Sequence, residues 1–180
     1  MSVLYLIRHG KTIANEQHRY CGSTDLPLSK KGREELQGLH YAFSPQRFVT
    51  SGMKRTNETL QILFGTVPFS TDSRFREVDF GDFEMKSYEM LKDDPAYQAW
   101  LTGDNEANTP PGGESGTQMT RRVLEAFSEL PDGTALVAHG GVIAAIMASL
   151  FPEEGKHRYQ WQPRNGHGYE IHGGTYRPIP

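Results

Sequence analysis

Val3-Leu4-Tyr5-Leu6-Ile7-Arg8-His9-Gly10 decides the fold. A short apolar run that stops abruptly reads as a strand buried on both faces of a parallel sheet. This one stops on a cation, an imidazole and a glycine. Open α/β sheets bind ligands beyond the carboxyl ends of their strands. Gly10 there lets the backbone approach a ligand with no Cβ in the way. The same grammar recurs at Thr134-Ala135-Leu136-Val137-Ala138, which runs into His139-Gly140-Gly141. It recurs more weakly at Phe48-Val49-Thr50, followed by Ser51-Gly52-Met53-Lys54-Arg55. Strand ends of this kind deliver Arg8, His9, Arg55 and His139 to one rim. Two guanidiniums and two imidazoles at one spot suggest an anion, foremost a phosphoryl group.

Working outward, a polar loop runs from Gly10 to about Leu28. Leu36, Leu39 and Phe43 then recur at helical spacing, which predicts a helix over 29–43 with Ser29 as its N-cap. A second strand is expected at 47–50 and a helix at 55–63. Val67 to Thr71 reads as an edge strand, where Pro68 is tolerated. The least regular part is 74–113. It holds one helical stretch at 88–101, broken or kinked by Pro95, and a turn-rich segment from Gly103 to Gly113. Ser115 is placed to cap a helix whose apolar face is Met119, Val123, Phe127 and Leu130. Pro131-Asp132-Gly133 is a turn. A strand at 134–138, a helix at 141–150 and two short terminal strands, 169–172 and 175–179, complete the chain. Strands alternating with helices imply a single domain over 1–180: a three-layer α/β/α sandwich on a mixed, mostly parallel sheet.

Composition bounds the partners. The 180 residues suffice for one sizeable core. A net charge of −3 speaks against general nucleic-acid binding. The longest apolar stretch, Val142 to Phe151, is too short to span a bilayer and is not N-terminal. The first strand begins almost at once, leaving no room there for a targeting segment. The expectation is a soluble, cytoplasmic protein with no membrane or nucleic-acid partner. Cys21, the single cysteine, excludes an internal disulfide and any multi-cysteine metal site. His18, His40, His157, His167 and His172 lack paired metal-ligand spacing, so neither metal nor cofactor is expected. The edge strand at Val67–Thr71 offers a surface for a homodimer.

The ordered blocks Arg8-His9-Gly10, Asn15, Gly22, Asp25-Leu26-Pro27-Leu28, Gly32, Arg55, Glu77-Val78-Asp79-Phe80-Gly81, Pro111-Gly112-Gly113-Glu114-Ser115 and His139-Gly140-Gly141 span most of the chain. In this order they resemble the histidine phosphatase superfamily, the phosphoglycerate mutase-like family. Phe80-Gly81-Asp82-Phe83-Glu84-Met85, together with the short length, looks most like its small α-ribazole-5′-phosphate phosphatase-like members.

The resemblance implies a phosphoglycerate mutase-like fold and a role for each block. His9 would be the nucleophile that carries phosphate, because a neutral imidazole attacks phosphorus without a separate base. Arg8 and Arg55 would grip the non-bridging oxygens, where charge gathers in a loose transition state. His139 and Asn15 would complete the phosphate pocket. Glu77 would be the general acid and base, matching the family position four residues before Gly81. Asp79, Asp82 and Glu84 are rival carboxylates nearby. Cys21 and Gly22 lie in a loop the family uses near its substrate. Residues 82–111 would form a lid over the leaving group, and their mix of Phe83, Met85, Tyr88, Tyr97 and Trp100 with charges suits a nucleotide-like or sugar phosphate. Ser51-Gly52 stands where the family often has Ser-Pro, and Met85 where many relatives have glycine.

The expected activity is metal-independent hydrolysis of a small-molecule phosphate monoester, α-ribazole 5′-phosphate among the candidates. A phosphoglycerate mutase and a non-catalytic phosphate-binding regulatory module are the alternatives.

Overall fold

In the computed structural model, which describes residues 2–180, six strands form one sheet in the order β3-β2-β4-β1-β5-β6. In chain order the elements are β1 (Val3–Arg8), α1 (Ile13–Glu16), α2 (Lys30–Gln37), β2 (Arg47–Thr50), α3 (Lys54–Phe64), β3 (Ser70–Thr71), α4 (Tyr88–Leu91) and α5 (Pro95–Leu101). Then follow α6 (Gly116–Ser128), β4 (Thr134–Ala138), α7 (Gly140–Leu150), α8 (Arg158–Trp161), β5 (Gly168–His172) and β6 (Thr175–Ile179). The strands β3, β2, β4 and β1 run parallel, while β5 and β6 are each antiparallel to the preceding neighbour. The sheet is therefore mixed and mostly parallel, as the apolar runs imply.

The layers follow from the two-residue period of a strand. Leu4 and Leu6 of β1 point into one core with α6 and α7, whereas Tyr5 and Ile7 point into another with Leu60, Leu63 and Phe64 of α3. β4 divides in the same way, with Leu136 and Ala138 on the first face and Val137 on the second. All five residues of β4 are buried, as a strand covered on both faces requires. α7 is apolar nearly all round, and Val142 to Met147 are buried. Such a helix belongs inside the molecule rather than on its surface.

This layering places the site. After β1 the chain crosses to the second face, where α2 packs on α3. After β4 it crosses to the first face, as α7. β1 and β4 are neighbours, so their connections part in opposite directions and open a crevice at their carboxyl ends. Register pairs Arg8 with Ala138, and the His9 amide donates to the Ala138 carbonyl at 3.0 Å. His9 and His139 are thus the first residues beyond two paired strands.

Several boundaries differ from the sequence expectations. α2 ends at Gln37, capped by Gly38, instead of reaching Phe43. The aromatics beyond it leave the helix to cover the second core: Phe43 stacks on Tyr5 with ring centres 3.9 Å apart. Only Ser70 and Thr71 of the expected edge strand pair with β2. The stretch 88–101 is two short helices, the second starting at Pro95 with Asp94 as its cap. α6 begins as expected at Ser115, in a capping box with Gln118. Gly10 is closely packed against α2: a Cβ there would lie 2.7 Å from Leu36 Cδ1.

Candidate active site

His9 leaves the end of β1 buried, at 6 % exposure. Its Nδ1 lies 2.6 Å from the Gly10 carbonyl oxygen. A carbonyl can only accept, so Nδ1 carries the proton and Nε2 is the lone-pair nitrogen of the neutral ring. Burial pushes the His9 imidazole well below the ordinary histidine range, and the charges of Arg55 and Arg8 push the same way. The ring stays neutral because protonation would bury a third cation beside two others.

His139 caps the start of α7 and is fully buried. Its ring lies edge-on to His9, with centres 5.2 Å apart. Nε2 is 2.8 Å from Ser51 Oγ at the end of β2, while Nδ1 is buried with no partner. Burial again lowers its pKa well below the usual value, aided by Arg55 and His9. An unpaired buried nitrogen costs about 1–3 kcal/mol. Such groups persist where function uses them.

The cations are held by carbonyls rather than by carboxylates. Arg55, in the first turn of α3, is 1 % exposed, and its guanidinium donates to the Gly22 and Thr24 carbonyls at 2.8 Å each. Arg8 donates to the Pro163 carbonyl at 2.9 Å, and its Nε is buried without a partner. A Cβ on Gly140 would sit 3.1 Å from the Arg8 guanidinium carbon, so glycine lets this cation lie flat on the helix start.

Glu77 approaches from the opposite wall. Its Oε2 accepts from the Gly141 amide at 2.8 Å and its Oε1 from the Val78 amide at 3.0 Å. The carboxylate therefore sits on the N-terminus of an eleven-residue helix, where the backbone dipole favours an anion. Gly141 makes this possible, since a Cβ would stand 2.4 Å from Glu77 Oε1. Arg122 of α6 braces the strand of chain that carries it. Arg122 donates to the carbonyls of Arg74, Arg76 and Glu77 and grips Glu114 with two bonds of 2.7 and 2.8 Å.

Arg8, His9, Asn15, Cys21, Arg55, Glu77 and Gly141 line one cavity of about 290 Å³. Tyr20, Phe80, Trp100 and Tyr159 also line it, as an aromatic outer wall. Among the described residues, no three His, Cys, Asp or Glu side chains converge as a metal site needs.

Residues 4–178 match the family described as the histidine phosphatase superfamily (branch 1). The chain belongs to the histidine phosphatase superfamily. It is 33% identical over 160 residues to an adenosylcobalamin/alpha-ribazole phosphatase from Salmonella typhimurium, covering 82% of this chain and 78% of that protein. It is 29% identical over 161 residues to the protein named "Probable phosphoglycerate mutase GpmB" in Salmonella choleraesuis, covering 83% and 75%. Among solved structures it is similar to a provisionally named alpha-ribazole-5′-P phosphatase from Escherichia coli. That likeness has a TM-score of 0.84 at 25% identity and covers 98% of this chain and 94% of the other. A phosphoglycerate mutase from Thermus thermophilus gives a TM-score of 0.77 at 29% identity, covering 95% and 93%.

Within this member of the histidine phosphatase superfamily the remaining expected residues fall in distinct places. Asn15 lines the cavity, and its amide oxygen accepts from the Thr12 amide and hydroxyl at 2.9 and 3.2 Å. Its NH2 group is left as the donor end. Cys21 lines the cavity, its thiol donating to the Thr24 carbonyl at 3.4 Å, and burial pushes that thiol's pKa up. Gly22 contributes backbone alone, through the carbonyl that holds Arg55. Of the four carboxylates weighed from sequence, only Glu77 is on the cavity wall. Asp79 accepts from the Gly81 amide, Glu84 is filled by loop donors, and Asp82 is exposed.

The five large apolar residues of the 82–111 region lie largely away from the cavity. Phe83 and Tyr97 are buried in a third small core with Leu91, and only Trp100 of the five lines the cavity. Arg19, Glu106, Arg158 and Tyr159 line it unannounced by the sequence. Arg158 and Tyr159 sit on a four-residue helix, too short to show periodicity.

Proposed function

We propose that this chain hydrolyses phosphomonoesters of small metabolites, with no metal ion, through phosphate carried on His9 Nε2. The observation that carries the reading is the anchored, neutral His9 beside the buried Arg55 and half-buried Arg8 guanidiniums. Its nucleophilic nitrogen needs no base, and its neighbours are matched to a dianion. Cations already fill the role a metal would take at the equatorial oxygens, and their charge repels one.

In the first step Nε2 attacks phosphorus and the ester P–O bond breaks. Glu77 serves as the acid of this step, giving a proton to the leaving alkoxide. Water then attacks the phosphohistidine and loses a proton to Glu77. The P–N bond breaks, returning neutral His9 and inorganic phosphate. Arg8 and Arg55 hold the oxygens throughout. Asn15 supplies an amide donor. His139 is fully buried and off the cavity wall, and backs the His9 ring with its Nδ1 unpaired and Ser51 donating to its Nε2.

The aromatic outer wall supports a leaving group that carries a ring. α-Ribazole 5′-phosphate, named for the Salmonella typhimurium relative, is such an ester. The mutase reading draws on the relative named as a mutase and requires a cation for the glycerate carboxylate. Arg158, at the cavity wall, is already paired with Glu106, which leaves Arg19 on the same wall for that role.

The test is hydrolysis of p-nitrophenyl phosphate near pH 6 in EDTA. Turnover by the unsubstituted protein, its loss in His9→Ala and an acid-labile, base-stable phosphate trapped on His9 are the expected results. Activity that survives in His9→Ala, or that EDTA abolishes, overturns the proposal. Phosphoglycerate isomerised faster than any ester is hydrolysed would make the chain a mutase.

A further inference from the structure

Glu84 is the carboxylate that the proposed chemistry leaves without a task. It is absent from the cavity wall, yet its acceptor capacity is full. Oε1 accepts from the amides of Gly22 (2.9 Å), Ser23 (2.8 Å) and Phe80 (3.2 Å) and from the Ser23 hydroxyl (3.2 Å). Oε2 accepts from the Gly22 amide at 3.1 Å and the Thr24 hydroxyl at 2.8 Å. A carboxylate offers about four lone-pair directions, so these donors occupy it.

The other side of the same loop holds Arg55. The Gly22 carbonyl and the Ser23 amide are the two ends of one planar peptide unit, pointing in opposite directions. The amide end is on the Glu84 carboxylate, and the carbonyl end is on the Arg55 guanidinium at 2.8 Å. An anion at the N–H end and a cation at the C=O end each polarise the peptide in the sense that strengthens the other bond. Thr24 repeats the link, its hydroxyl on Glu84 and its carbonyl on Arg55. Gly22 is pressed so closely on the Glu84 side that a Cβ would lie 1.7 Å from the Val78 carbonyl oxygen.

We propose that Glu84 is a positioning residue that orients Arg55 through the 22–24 loop, and that it takes no proton in the reaction. The inference rests on the phosphohydrolase reading insofar as Arg55 grips phosphate. It ties the segment that builds the outer wall to the grip on the phosphoryl group.

The test is a double-mutant cycle of Glu84→Ala and Arg55→Ala, read by calorimetric binding of orthovanadate and by hydrolysis of an aryl and an alkyl phosphate. Hydrogen bonds to a charged group are worth enough that Glu84→Ala should weaken vanadate roughly tenfold. In the Arg55→Ala background the same change should have almost no further effect. Glu84→Gln, which keeps one oxygen and the side-chain shape, should lose less and carries the cycle if the alanine variant does not fold. Hydrolysis should fall equally for both esters, because the damage is on the phosphate side.

Independent, multiplicative losses overturn the proposal. So does a loss confined to the alkyl ester, which needs a proton donor, because that pattern marks Glu84 as an acid. If the unsubstituted protein binds vanadate and shows the coupling but hydrolyses nothing, the hydrolase reading falls and the positioning role stands. If it binds no vanadate, both fall.

Discussion

At Met85 the backbone turns through φ +62°, the left-handed region where a Cβ crowds the following carbonyl. The turn is needed because the Met85 amide donates to the Tyr20 carbonyl at 2.7 Å, fastening the outer wall to the loop that holds Arg55. Met85→Gly relieves the crowding. We expect it to stabilise the protein by about 1 kcal/mol, or about 2–4 °C in Tm. A fall in Tm on thermal unfolding would mean that the half-buried methionine packs better than the strain costs. Gly52 shows the reverse case. It adopts φ +85°, closed to the proline common in the family, so this chain turns towards α3 by another backbone route.

At the level of elements, α7 does most for the site. It begins one residue after β4, and its first turn receives Arg8 against Gly140 and Glu77 against Gly141. Gly141→Ala tests this placement cleanly. Alanine is the better helix former by about 1 kcal/mol, so stability should hold or rise. The new Cβ would displace the Glu77 carboxylate instead. A misplacement of that size can cost on the order of 100-fold. We expect turnover of an alkyl phosphate to fall at least tenfold, with a smaller loss for p-nitrophenyl phosphate, whose leaving group departs without a proton. Unchanged turnover of the alkyl ester would remove Glu77 from the role of proton donor.

Across the whole molecule, burial of the β1–β4 crevice keeps two imidazoles neutral, and this couples the site to stability. His9 and His139 lie below 6.5 in the folded state, the value they regain on unfolding. Below pH 6.5 the unfolded chain therefore binds protons that the native one refuses. Stability is full above that pH and falls as the pH drops towards the depressed native values. The slope is up to about 1.4 kcal/mol per pH unit for each imidazole. The part-buried His167, also lowered by burial, adds in the same sense. Urea melts at pH 7.5, 6.5 and 5.5 should show the decline over the lower interval, and His9→Gln should reduce it. The lowered carboxylates Asp72 and Glu170 act only at still lower pH, since their ordinary values are 3.8 and 4.5. Equal stability at pH 6.5 and 5.5 would mean that both rings are solvated.

The apolar runs 3–7 and 134–138, each followed closely by a histidine, were enough to determine a mostly parallel α/β sheet with two imidazoles at neighbouring strand ends. Burial on both faces leaves no polar position within such strands, so their ends stand out in the sequence. Arg8, His9, Arg55 and His139 stand out for that reason, and Glu77 by family resemblance. Helix α2 was overextended because Phe43 keeps a helical spacing while serving the second core from a loop. Tertiary structure alone decided which way Glu84 and Glu77 face, since neighbouring carboxylates look alike in one dimension. It alone brought Arg158 and Tyr159 over the cavity, on a helix of one turn. It alone joined Glu84 to Arg55 through a shared peptide. Contacts between residues tens of positions apart are set by packing, and no local pattern of residue types records them.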